Sequence, residues 1–191
     1  MSNFDKYPKS LVDYAKLYGL LMDNNVADEL SVNLELLLEI IPEIEPMIGF
    51  DQKHPHHHLD LWQHTLYALS MSEKDMTTRL TLLLHDIGKP HFYIEEDGVR
   101  NYPNHGKVSS IIAKSILERF ELNEEYINKI CYLIENHDRP ITDEDIIQEY
   151  DLSYTLLHIQ ECDALAHNPD KLEKRIKYLN NTDEKLKRMA K

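Results

Sequence analysis

All 11 histidines of this 191-residue chain lie between His54 and His167, and neither end contains one. Three of them, with one aspartate, continue stripes of apolar residues at helical spacing. His64 falls between Leu61 and Ala68, and His105 precedes Val108 and Ile112 by three and seven positions. His137 follows Ile134 and Ile130 at those same intervals, and Asp163 follows Ile159 and Leu156. Residues so spaced share one helix face, so these side chains point where their helices point the core. A further pair, His85-Asp86, ends the run RLTLLLHDIGKP, which is apolar nearly all round and therefore belongs in the middle of a core. An isolated buried charge costs several kcal/mol or titrates to neutral. Four imidazoles (His64, His85, His105, His137) and two carboxylates (Asp86, Asp163), all aimed inward, can satisfy one another by sharing divalent metal ions.

Taken singly, a histidine on an apolar face is more often a core residue bonded to a backbone carbonyl. Six such groups together shift the balance toward a metal centre. The remaining candidates read differently. His54, His56, His57 and His58 crowd a polar linker, where adjacent side chains cannot all converge, and are expected to form a solvated loop. His91, His158 and His167 are expected at the surface or in supporting positions. Arg79, seven residues before Asp86, either orients that carboxylate or is an ordinary surface arginine. Arg139, two residues after His137, either contacts phosphate or is exposed loop charge.

The elements that must carry these groups are helical. Apolar residues recur mainly at three and four positions, and glycine is scarce at five residues, so the fold class is all-α. Ser10 is expected to cap a first helix, and a second, Leu30 to Ile41, to stop at Pro42. Asp60 opens a helix carrying His64, and Thr77 to Ile87 forms the next. Asp97-Gly98 marks a turn, so a short hairpin or lid insertion is expected near residues 91–103. Helical spacing resumes from His105, from Tyr126 to His137, and from Ser153 to His167, before a charged helix from Lys171 to Lys191. The expected organisation is one compact bundle, with residues 1–50 as a helical brace and 51–191 as the core.

Lys and Arg number 21 against 34 Asp and Glu, giving a net charge of −13. That charge opposes broad attraction to nucleic acid or anionic lipid, so nucleic acid is an unlikely partner and a small phosphorylated substrate the expected one. No leader or membrane-length apolar run is evident, and the chain reads as cytoplasmic. Cys131 and Cys162 lack CxxC spacing and read as buried free thiols.

Residues from about 51 to 167 resemble the HD superfamily of metal-dependent phosphohydrolases through His64, His85-Asp86 and Asp163. The segments DLWQHTLYAL, RLTLLLHDIGKP, NHGKVS and ENHD are similar in style to the HD domain carried by some bacterial tRNA nucleotidyltransferases. The resemblance implies that His64, His85, Asp86 and Asp163 hold one metal, with Asp86 placed to bridge a second. His105 and His137 match the extra histidines of two-metal members. Lys89 matches the lysine after the His-Asp pair and would face substrate phosphate as a catalytic and substrate-binding group. Nucleotide addition is not expected, because residues 1–50 read as helical, without a paired-carboxylate strand motif. The chain also lacks the Gly-Tyr-Pro signature that accompanies cyclic di-GMP hydrolysis.

The expected activity is hydrolysis of a small phosphate ester, a nucleotide or cyclic nucleotide, by metal-activated water. Asp86 and Lys89 would carry the catalysis, with Lys89 and Arg139 toward the substrate. Nitrogen and oxygen ligands without thiolate suit one or two ions of manganese, iron, nickel, cobalt or zinc. The alternatives are a dinucleoside polyphosphate hydrolase, or a non-catalytic module that metal merely stabilises.

Overall fold

A computed structural model describes residues 7–190. The first six residues of the expected brace and Lys191 lie outside the described residues. Helices α1 (Lys9–Leu21), α2 (Val26–Val32) and α3 (Leu34–Ile40) come first, followed by a 3-10 segment at Pro42–Met47. Next are α4 (Leu61–Ser70) and α5 (Met76–Leu84), then the strands β1 (Ile94–Glu96) and β2 (Val99–Asn101). The chain continues through α6 (His105–Arg119), α7 (Glu124–Asn136), α8 (Asp143–Gln148), α9 (Tyr150–Leu165) and α10 (Glu173–Met189). One buried apolar cluster runs from Leu17 in α1 to Leu186 in α10 and joins all of these helices.

The all-apolar run sits at the centre, as its composition requires. Leu80, Leu82, Leu83, Leu84 and Ile87 are all 0% exposed, and α4, α7 and α9 pack around α5. Side-chain caps set where the surrounding helices start. The Asp60 carboxylate accepts the Gln63 N–H ahead of α4, and Asp75 does the same for Thr78 ahead of α5. Asn123 caps α7, and Thr142 with Asp145 forms a reciprocal capping box on α8.

Several boundaries differ from the sequence reading. Ser10 lies inside α1, whose N-cap is Pro8. The segment from Leu30 to Ile41 is two helices, broken at Asn33, whose amide Nδ2 donates back to the Glu29 carbonyl. α5 ends at Leu84, so His85 and Asp86 occupy the turn that follows it. α9 ends at Leu165, which leaves His167 beyond the helix. α10 starts at Glu173, after a 3-10 turn at Pro169–Lys171.

The hairpin lies where expected. Glu96 pairs with Val99 across a turn in which Asp97 and Gly98 have φ of 51° and 77°, the left-handed pair that a two-residue turn demands. It also ties down the polar linker. Arg100 donates twice to it: its backbone N–H to the Lys53 carbonyl at 2.9 Å, and its Nη1 to the Asp51 carbonyl at 2.7 Å.

Arg79 neither orients Asp86 nor lies on the surface. It is 4% exposed, and its guanidinium donates to the carbonyls of Leu21, Asp23 and Glu73. It therefore caps the C-terminal end of α1, whose last carbonyls have no helical partner. Arg79→Met should cost about 2–3 kcal/mol by orphaning these acceptors, with metal content unchanged. A denaturant titration alongside metal analysis checks both halves.

Among the described residues no helix is long and apolar enough to cross a membrane. Both cysteines are free; Cys162 is buried and Cys131 is only half-buried, with its Sγ 3.6 Å from the Ser110 carbonyl.

Candidate metal centre

Four helices and one turn bring the six expected ligands together. His64 projects from the first half of α4, His85 and Asp86 from the turn after α5, and His105 from the first residue of α6. His137 caps the C-terminus of α7, and Asp163 lies near the end of α9. Gly106 is what lets α6 meet α7: a Cβ there would lie 2.7 Å from the Glu135 carbonyl oxygen. That close approach places His105 Nε2 3.1 Å from His137 Nε2.

The four imidazoles share one orientation rule. Each Nδ1 faces a backbone carbonyl: His64 with Ala166 at 3.2 Å, His85 with Leu82 at 2.7 Å, His105 with Tyr102 at 2.9 Å, and His137 with Ile134 at 2.7 Å. A carbonyl only accepts, so every Nδ1 carries the proton, and in a neutral ring Nε2 then presents a lone pair. Those lone pairs converge on carboxylates. His64 Nε2 lies 2.9 Å from Asp163 Oδ1, and His85 Nε2 lies 3.2 Å from Asp86 Oδ2 and 3.5 Å from Asp163 Oδ1. On the other side, His105 and His137 Nε2 lie 3.4 and 3.7 Å from Asp86 Oδ1.

Two ligand groups result, joined at Asp86. In each, His64, His85, Asp86 and Asp163, or Asp86, His105 and His137, the ligand atoms all lie within 4.8 Å of one another. Lone pairs facing carboxylates, and two Nε2 atoms facing each other, repel unless positive charge lies between them. Among the buried polar atoms left without a hydrogen bond are three of the expected ligand atoms: His85 Nε2 and both oxygens of Asp86. Lys89 Nζ does lie 2.7 Å from Asp86 Oδ2, close enough for attraction but not arranged as a hydrogen bond. The donor set therefore fits divalent transition-metal ions.

The electrostatics agree. Burial alone would strip a proton from His85, but the Asp86 and Asp163 carboxylates overcome it and push its pKa up to about 10. His137 goes the other way, down to about 4, through burial and the charges of His85 and His105. Against burial, the His85 imidazolium and the Lys89 ammonium hold Asp86 well below the usual carboxylate range. The carboxylates thus demand cationic charge, and a proton on His85 satisfies them poorly, because His85 Nε2 makes no hydrogen bond.

Lys89 is 4% exposed and also donates to Gln52 Oε1 at 3.0 Å. Its ammonium lies 5.4 Å from the centre of the Tyr102 ring, and the Tyr102 hydroxyl donates to the Gln52 carbonyl. A cavity of about 200 Å³ opens onto Asp86, Lys89, His105, His137 and Asp163.

Arg139 is not brought to that cavity. Its guanidinium is held by both carboxylate oxygens of Asp145, at 2.9 and 3.1 Å, and by Asn136. The Arg139 hydrogen bonds pull Asp145 well below the usual carboxylate range. Such a depressed acid contributes stability that is complete above its unfolded pKa of about 4 and is lost as the pH falls through the folded value. Arg139→Ala should therefore lower the melting temperature at pH 7 by about 2 °C. The deficit should shrink in acid, and turnover should stay within about twofold of wild type. Melting curves against pH and one rate assay check it.

The linker histidines are not all solvated. His56 and His58 are exposed, but His57 turns inward, its ring centre 5.2 Å from that of His64 and 4.7 Å from that of His167. His57, His64 and His167 also offer ligand atoms within 4.8 Å of one another. Burial and the neighbouring Lys89 and His167 charges push the His57 pKa far down, and burial pushes His167 to about 4, so both rings are neutral. Sequence spacing gave little sign of this, because the linker has no periodicity and His167 stands beyond the helix that aims Asp163.

Comparison with known proteins places these features in context. The pattern of the HD domain family matches residues 56–179. The chain is similar to the CC-adding tRNA nucleotidyltransferase of Thermus thermophilus, with 28% identity over 144 residues, or 69% of this chain and 33% of that protein. It is also similar to the A-adding tRNA nucleotidyltransferase of Deinococcus radiodurans, with 30% identity over 111 residues, or 54% of this chain and 25% of that protein. The chain thus spans a third or less of the length of these two relatives.

Proposed function

Because the chain belongs to the HD domain family, we propose that it is a metal-dependent phosphohydrolase acting on a small phosphate ester, a nucleotide or cyclic nucleotide. The observation that carries this reading is Asp86: buried, and facing a separate set of imidazoles with each of its two oxygens. His64, His85, Asp86 and Asp163 would hold one ion, and Asp86, His105 and His137 a second. Ions so held supply activated water and neutralise phosphoryl charge, the role of paired metals in phosphatases.

The chain's own residues do the rest. The carbonyls behind each Nδ1 fix the imidazole tautomers and directions. Lys89, at the cavity wall, would neutralise charge developing on the phosphoryl oxygens. Tyr102 and Gln52 hold its ammonium in place. The described part of the expected brace, residues 7–50, would steady the core, with Arg79 locking the end of α1 to the start of α5.

The expectation against nucleic acid rests on net charge alone, and the names of both relatives refer to tRNA. A tRNA therefore belongs among the substrates tried. Anaerobically purified protein should contain divalent metal. It should be assayed on 2′,3′-cyclic nucleotides, nucleoside monophosphates, dinucleoside polyphosphates and tRNA. Turnover of one small ester that is lost with chelator supports the reading, and a metal-free protein inert on every substrate after metal addition refutes it.

Lys89→Ala should keep its metal and lose about a hundredfold in rate. Loss of metal equal to that of Asp86→Ala would contradict the role given to Lys89.

A further inference from the structure

A second cavity, of about 610 Å³, adjoins the metal centre. His56, Asp138 and His167 line both cavities, so the two are neighbours. Its volume is in the range of small-molecule sites. Leu172, Arg175 and Tyr178, from α10 and the turn before it, form its outer wall.

Arg175 is a charge in search of a partner. Its side chain is 21% exposed, and its Nε and Nη2 are covered and make no hydrogen bond. Its one ion pair among the described residues, to Asp138 Oδ1, is stretched to 3.9 Å. The guanidinium carbon lies 5.6 Å from the centre of the Tyr178 ring. That ring is itself fixed, because the Tyr178 hydroxyl accepts the Ile141 N–H at 2.7 Å. Enclosing a guanidinium whose nearest carboxylate stands off at 3.9 Å is costly, and its planar fork of donors suits phosphate. The other charges of the lining nearly balance, with Lys171 and Lys174 against Asp138, Asp170 and Glu173. Such a lining selects one anionic group rather than a polyanion.

We infer that this cavity is a subsite for a second phosphate of the substrate, gripped by Arg175 while the first phosphate occupies the metal centre. The inference rests on the phosphohydrolase reading and narrows its substrate class to bisphosphorylated small molecules, such as a nucleoside 3′,5′-bisphosphate.

Binding rather than turnover tests it, so that it can fail separately from the hydrolytic reading. Calorimetry on the metal-loaded protein would use hydrolysis-resistant phosphonate analogues of adenosine 5′-monophosphate and adenosine 3′,5′-bisphosphate. Wild type should bind the bisphosphate analogue at least about tenfold more tightly. Arg175→Met should remove that preference while leaving the monophosphate analogue unaffected, and Arg175→Lys should restore part of it. If Arg175→Met does not fold, a reduced preference in Arg175→Lys decides in favour and an unchanged one against. Equal affinity of wild type for both analogues, or equal weakening of both by Arg175→Met, overturns the subsite. Discrimination by a protein that hydrolyses nothing would leave the subsite standing and refute the hydrolytic reading.

Discussion

Asp86→Ala is expected to lose more than about a thousandfold in turnover and most of its bound metal while keeping its helical far-UV signal. Asp86 is 1% exposed, and no neighbouring carboxylate can reach both ligand groups in its place. The substitution also leaves the ammonium of Lys89, 4% exposed, without the carboxylate 2.7 Å away. Breaking a buried pair costs about 3–5 kcal/mol, so the melting temperature should fall even though the fold persists. Asp86→Asn keeps the shape of the side chain and separates the effects: it too should lose metal and rate. Full activity with full metal content in either variant would contradict the assignment of Asp86.

The second large effect concerns the number of ions. His105 and His137 meet only on the Oδ1 side of Asp86, whereas His64, His85 and Asp163 gather on the Oδ2 side. Removing either His105 or His137 should leave the His64, His85, Asp86 and Asp163 group intact. Metal content in His105→Ala or His137→Ala should thus fall from two ions to about one, and turnover should fall about a hundredfold or more. If the two rings merely pack in the core, the same variants will melt at lower temperature with unchanged metal content and a modest kinetic loss. Metal analysis by mass spectrometry, paired with a rate assay, distinguishes the outcomes.

How far these groups could be read in the sequence depended on whether a helix carried them. His64 and Asp163 sit within α4 and α9, and their apolar stripes told which way they point. His105 and His137 stand at helix ends, where the stripe still fixes direction within a turn. The buried run before His85 was legible from composition alone, because four of the five residues from Leu80 to Leu84 are leucine. What escaped was held by long-range contacts. Arg79 finds two of its three carbonyl acceptors in α1 and its neighbouring turn, more than fifty positions earlier in the chain. Gln52 reaches Lys89 across 37 positions, and Tyr102 reaches Gln52 across 50, beside the Arg100 bond that ties the hairpin to the linker. His57 and His167 come together across more than a hundred residues. Arg139 was close to the site in sequence, yet the capping box of α8 holds Asp145 where it captures the guanidinium first.

The account stands or falls on whether metal ions sit on either side of Asp86. Anomalous diffraction from crystals of the manganese-loaded protein measures this directly. The expected result is two peaks flanking the Asp86 carboxylate, one about 2.1 Å from the Nε2 atoms of His64 and His85 and the other at that distance from those of His105 and His137. Imidazoles more than about 4 Å from any peak, or no peak between them at saturating manganese, would contradict it.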